Sequence, residues 1–181
     1  MTMGREPLMP ADTSPTRPAE RFDITSFLEG RTLAWGIFED RFGRLRRRFD
    51  VEMTGHWDGD TFVLAETFVY DTGEREARTW FVRQRDNGQF TATCDDCVGE
   101  AQGQCAADSI TMSYRFRLKL EARTVTVDFR DRIYRMGTGH AVNRATMSKW
   151  GVVLGELSLF FHKPDIAKHE ATAAELGGRA V

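Results

Sequence analysis

The sequence predicts an all-β fold: a single antiparallel up-and-down barrel of about nine or ten strands, with a short N-terminal helical turn and a C-terminal helix. The first observation is the run Ile110 to Leu120. Ile110, Met112, Tyr114, Phe116, Leu118 and Leu120 are apolar, and Thr111, Ser113, Arg115, Arg117 and Lys119 between them are polar. That period of two suits a half-buried strand and no helix. At about 3.3 Å per residue the run reaches roughly 36 Å, well beyond an ordinary strand. The second observation is rhythm: similar runs follow at hairpin spacing with no helical pattern between them. The third is punctuation by Asp58-Gly59, Asp71-Thr72-Gly73 and Asp86-Asn87-Gly88. An open sheet of that size leaves two bare edges, and closure removes them.

Taken in order, Phe22 to Gly30 reads as a helical turn placed to lie across one barrel mouth, with Gly30 ending it. Arg31 to Glu39 is a strand containing Trp35, and Asp40 to Gly43 is a turn. Leu45 to Thr54 alternates. Trp57 to Asp60 turns the chain into the strand Thr61 to Tyr70. After Asp71 to Gly73 comes Arg78 to Arg85, then Asp86 to Gly88, then a strand beginning at Gln89 to Cys94. Cys97 to Cys105, with Gly99 and Gly103, reads as flexible or bulged. Ile110 to Leu120 turns at Glu121 to Arg123 into Thr124 to Arg135. Gly137 to Gly139 leads to Ala141 to Lys149, and Trp150-Gly151 to Val152 to His162. Pro164-Asp165 ends the sheet and caps an Ala-rich helix near Ile166 to Leu176, which Gly177-Gly178 stops.

The chain has 181 residues, suited to one domain with a sizeable core. We divide it into a disordered tail over 1–20, a barrel over 21–164, and a helix and tail over 165–181. Met1 to Glu20 holds Pro7, Pro10, Pro15 and Pro18, with neither the apolar core of a signal peptide nor a lipobox cysteine, so a cytoplasmic location is expected. The net charge of -2 gives no field for nucleic acid. No apolar run reaches the roughly 20 residues of a membrane-spanning helix. A transmembrane barrel shares the alternation with its apolar face outward, and the absent export signal and polar tail argue against it. Membrane association without insertion stays open.

Cys94, Cys97 and Cys105 form C-x2-C-x7-C. A structural zinc site wants four ligands, so neither a metal nor any other cofactor is expected. No phosphate loop, nucleophile elbow or H-E-x-x-H pattern is present.

Several residues stand out. Glu66 shares a strand face with Phe62, Leu64, Phe68 and Tyr70. A carboxylate there must find a partner or rise in pKa, and could then act as a general base or grip a hydroxyl. The opposite face holds Val63, Ala65 and Val69, so an outward or salt-bridged Glu66 is the plainer reading. Arg78 and Trp80 share a face, suited to clamping a carboxylate beside an indole wall, or to ordinary pairing of Arg78 with an acid. Asn143, Arg144 and Lys149 form a polar group near Gly151, explained equally by pairing between strands. Arg41, Arg44, Arg46, Arg47 and Arg48 are interspersed with acids and read as a solvated face.

The stretches Ala34-Trp35-Gly36, Thr54 to Thr61, Glu66 to Asp71, Arg78-Thr79-Trp80, Val98 to Ala101 and Asn143 to Gly151, with Leu154-Gly155-Glu156 and Phe160-Phe161, are similar to a bacterial family, domain-of-unknown-function family 3833. The resemblance covers roughly Phe22 to Lys163. It implies a lipocalin-like barrel and a tie to fatty-acyl chemistry. Members resemble secreted lipoproteins, which implies a periplasmic or envelope location as the alternative to the cytoplasm. The three cysteines are no part of the pattern.

The expected function is binding of a hydrophobic small molecule, such as a fatty acid, in a barrel cavity. Trp35, Phe68, Trp80, Tyr114 and Met147 are expected to line it, with Asn143 among them, and Glu66, Arg78 or Arg144 to orient a polar head. The alternatives are a cofactor-free isomerase or hydratase with Glu66 as its catalytic base, and a filled barrel that binds another protein.

Overall fold

A computed structural model describes residues 21–120 and 123–164. The expected tail over 1–20, the helix after Asp165 and the Glu121-Ala122 part of one turn lie outside the described residues.

A short helix α1 (Ile24–Leu28) precedes ten strands: β1 (Gly30–Asp40), β2 (Leu45–Asp58), β3 (Thr61–Tyr70), β4 (Arg75–Gln84), β5 (Gln89–Thr93), β6 (Ala101–Cys105), β7 (Ser109–Leu120), β8 (Arg123–Gly137), β9 (His140–Lys149) and β10 (Val152–His162). Each strand pairs antiparallel with its sequence neighbours, and β1 pairs with β10 to close the barrel. The sequence signals act as expected. Asp-Gly and related turns supply the positive φ that tight hairpins need, with Gly59 at φ 60° and Gly73 at φ 84°.

The differences are local. Cys97 to Cys105, expected to be flexible, contains β6, because the backbone of this segment pairs with the strands on both sides, Gln102 lying opposite Thr91 of β5 and Ser113 of β7. Gly103 is required there: a Cβ would run into the ring of the fully buried Phe90. β4 begins at Arg75 rather than Arg78, and β2 continues past Thr54 to Asp58. The helical turn shortens to α1.

α1 closes one end. Asp23 caps it, its carboxylate accepting from the Thr25 and Ser26 amides at 3.0 and 2.9 Å. Gln84 at the end of β4 donates to Asp23 at 2.7 Å and to the Thr25 hydroxyl at 2.8 Å, tying the helix to the wall. Ile24 and Leu28 of the helix, and Phe22 before it, are buried. Gly55 admits the Leu28 carbonyl into the space a side chain would take. Above this plug lies a close-packed layer including Met53, Phe62, Phe90 and Ile110. Among the described residues nothing closes the opposite end of the barrel.

Candidate functional site

The space between that layer and the open end is a cavity of about 490 Å³. Phe38, Phe49, Phe68, Phe116, Phe129, Met147 and Leu157 wall it, and Arg78 and Tyr114 lie at its base. Arg47, Glu74, Asp96, Arg117 and Lys119 border its mouth. Alternation explains the apolar wall, since every second residue of β2, β3, β7, β8 and β9 points inward.

A polar cluster interrupts that pattern at the base. The β3–β4 register sets Glu66 opposite Arg78, and their charged atoms lie 3.9 Å apart. Arg78 donates to Glu76 at 2.9 Å, and its guanidinium lies over the rings of Phe116 and Phe68 at 4.4 and 4.9 Å. Trp80 donates its indole N–H to Glu66 at 3.1 Å. Tyr70 donates to Glu76 at 2.8 Å. Across the barrel, Asn143 donates to Asp131 at 3.1 Å. Tyr114 stacks on Phe129 and meets Trp80 edge-on, both at 5.3 Å between ring centres.

Burial dominates the electrostatics. It raises the Glu66 carboxyl, against the pull of Arg78 and the Trp80 hydrogen bond. Burial also pushes Asp131 up to about 7, with the Glu66 charge adding to it and Asn143, Tyr114 and Arg78 opposing. Tyr114 is held well above its ordinary value by burial and by Asp131. Burial acts against the charge on Arg78, but Glu66 and Glu76 outweigh it and raise its pKa. Three carboxyl groups thus share one guanidinium. Among the described residues, Arg78 Nε, Asp131 Oδ1 and Asn143 Oδ1 are buried without a hydrogen-bond partner.

Of the residues singled out from sequence, Glu66, Phe68, Arg78, Trp80, Tyr114, Asn143 and Met147 are on the inner face, and the structure gathers Glu66, Arg78, Trp80 and Tyr114 into one cluster. The two-faced β3 resolves with Glu66 inward. Trp35 and Arg144 are corrections. Trp35 is 45% exposed on the outer wall, where it stacks on Phe160 with ring centres 6.2 Å apart. Arg144 is exposed and pairs with Glu156 at 2.9 Å. Both are one residue out of phase with an inward neighbour, Ala34 and Asn143. Glu76, Tyr70 and Asp131 were missed. Asp131 had a signal: it takes an inward turn in Val125, Val127, Phe129, Asp131, Ile133.

Beside the cavity, the Cys94 and Cys97 sulfurs lie 2.7 Å apart on the connection from β5 to β6. The contact with Cys97 lowers the Cys94 thiol and raises its partner. Among the described residues no group of three or more His, Cys, Asp or Glu side chains is placed to hold a metal ion.

No curated protein matches the sequence. Among solved structures, the fold is similar to an S-type phycobiliprotein lyase, CPES, from Guillardia theta, with a TM-score of 0.57 over 77% of this chain and 89% of that one. At 6% identity the likeness concerns the fold alone. Residues 8–163, which include all ten strands, match the family described as protein of unknown function (DUF3833), and the chain belongs to that family.

Proposed function

We propose that the barrel binds a hydrophobic small molecule, with a fatty-acyl chain as the best fit to its shape. The observation that carries this is the cavity of about 490 Å³, walled by five phenylalanines, a methionine and a leucine and open at one end. A fold shared with a phycobiliprotein lyase is consistent with small-molecule binding. A barrel whose core is filled, with a protein partner instead of a ligand, would have no such space.

The charges argue for the direction in which a fatty acid enters. Arg78 at the base is already held by Glu76 and faces Glu66, with Asp131 beyond. A ligand carboxylate would be a fourth acid around that one guanidinium, in a site shielded from water. The mouth carries Arg47, Arg75, Arg117 and Lys119 against Glu74 and Asp96, so cations are in excess there. The acyl tail therefore goes in first and the carboxylate stays among the mouth cations, the reverse of a clamp by Arg78.

Native mass spectrometry of freshly purified protein, followed by organic extraction, tests the reading. A discrete added mass released as a lipid supports it. A bare protein that also ignores added fatty acids and hydrophobic fluorophores overturns it. A second reading, a cofactor-free isomerase or hydratase, draws on Glu66 and Asp131, two buried acids of raised pKa beside a cavity. It requires that Glu66→Gln abolish turnover of a bound lipid while leaving its binding intact.

A further inference from the structure

We infer that the open end of the barrel docks on a bilayer surface bearing anionic headgroups, with Phe42 and Trp150 as its anchors. The pairing of β1 with β10 sets two hairpins side by side at the mouth: the Arg41 amide donates to the Leu154 carbonyl at 2.9 Å, beyond the Asp40–Gly155 pair. The first hairpin carries Phe42 at its tip, 69% exposed, and the second carries Trp150, 89% exposed. Val152 and Val153, also exposed, lie between them. Large rings at two adjacent tips have no packing role in the barrel, and phenylalanine and tryptophan are suited to the boundary between headgroups and acyl chains.

The charge around these rings selects the surface. Arg41 and Arg44 lie over the Phe42 ring at 4.7 and 5.9 Å, and the Lys149 ammonium lies 4.7 Å from the centre of the Trp150 ring. Arg46, Arg47 and Arg48 follow along the first hairpin, loosely paired at 3.8, 3.4 and 4.0 Å with Asp40, Glu74 and Asp71. All five arginines of that hairpin are exposed. Over residues 39–50 these five arginines stand against three acids, Glu39, Asp40 and Asp50, which leaves an excess of positive charge beside the apolar tips. This is the pairing of cations with an interfacial apolar patch that anionic bilayers attract. A solvated strand face explains the arginines alone, but not the exposed rings beneath them. The inference rests on the rim and is independent of the cavity's occupant.

The test is co-sedimentation of the full chain with vesicles of phosphatidylcholine alone and of phosphatidylcholine with a quarter phosphatidylglycerol. Binding is expected on the anionic vesicles, at least about tenfold weaker on neutral ones and reduced by about 0.5 M salt. The pair of substitutions Phe42→Ser and Trp150→Ser lies on exposed turns and is expected to cut binding about tenfold with an unchanged melting temperature. Trp150→Phe keeps an apolar ring and should retain most of the binding. No sedimentation on anionic vesicles, equal sedimentation on both kinds, or equal binding by the double-serine protein overturns the inference. Uptake of a fluorescent fatty acid without vesicles, measured on the same proteins, separates failure of docking from failure of cargo binding.

Discussion

Asp131 Oδ2 accepts a hydrogen bond from Asn143 at 3.1 Å, and its Oδ1 is buried without a partner among the described residues. The inside of the barrel therefore holds a carboxyl group that is costly to ionise.

That cost gives stability a pH dependence of definite sign. Burial raises Asp131 to about 7 in the folded chain. Between the ordinary carboxylate range and that value, the folded protein keeps a proton that the unfolded chain has released. Stability should fall as pH rises through this window, at up to about 1.4 kcal/mol per pH unit, and level off above it. Asp131→Asn removes the titration. Urea unfolding at about pH 5 and about pH 8 should show the gap between the two conditions shrinking in the variant. An unchanged gap would mean that Asp131 ionises as freely in the barrel as in water.

Arg78 holds the polar cluster together. Its removal leaves Glu66 and Glu76 facing each other beside the cavity with no cation between them. Arg78→Ala should cost about 3–5 kcal/mol in denaturant unfolding, and pairing it with Glu66→Gln should recover part of the loss. A cost under about 1 kcal/mol would show that the cluster is solvated.

Cavity occupancy is tested by filling it. Met147 is a flexible side chain on the cavity wall. Met147→Trp should weaken uptake of a long-chain fatty acid by at least about tenfold while the chain still folds. Unchanged uptake would place the ligand elsewhere, such as the shallow apolar groove beside Trp35 and Phe160 on the outer wall.

The direction of entry has its own readout. Arg117→Glu at the mouth should weaken a fatty acid more than the alcohol of the same chain length, since only the acid brings a charge to that place. Equal losses for the two ligands would favour a head group buried at the base.

Gly103 sets the packing between β5 and β7. Gly103→Ala forces a methyl group against Phe90, which is 1% exposed and has nowhere to move. A loss of about 1–3 kcal/mol is expected, and a neutral result would show that the short strand β6 yields.

Much of the architecture was legible because strand alternation and hairpin turns are local signals, strong in β7 and in the turn at Gly59. The β6 strand was hidden: Gln102, Gly103 and Gln104 lack an apolar rhythm, and their pairing comes from the strands on both sides. A polar residue breaking an inward run made Glu66 legible, whereas Asp131 breaks the inward run of β8 in the same way and was missed. Legibility also failed where phase decides everything. Trp35 and Arg144 are a single residue from inward positions, and neither β1 nor β9 alternates cleanly enough for sequence to fix its face. The partnership of Arg78 with Glu76 as well as Glu66 depended on where β4 begins.

The seam between β1 and β10 also governs how the molecule is made. Its contacts join Leu33 to His162 and Asp40 to Gly155, partners from opposite ends of the described chain. A ribosome delivers β1 long before β10 exists, so the growing sheet travels with one edge bare. Every other strand can dock on the hairpin just synthesised, but the final zipping must wait and carries the largest loop-closure entropy in the fold. The seam is therefore expected to limit folding speed, and a nascent chain halted before Val152 is expected to be an open sheet with a bare edge rather than a smaller barrel.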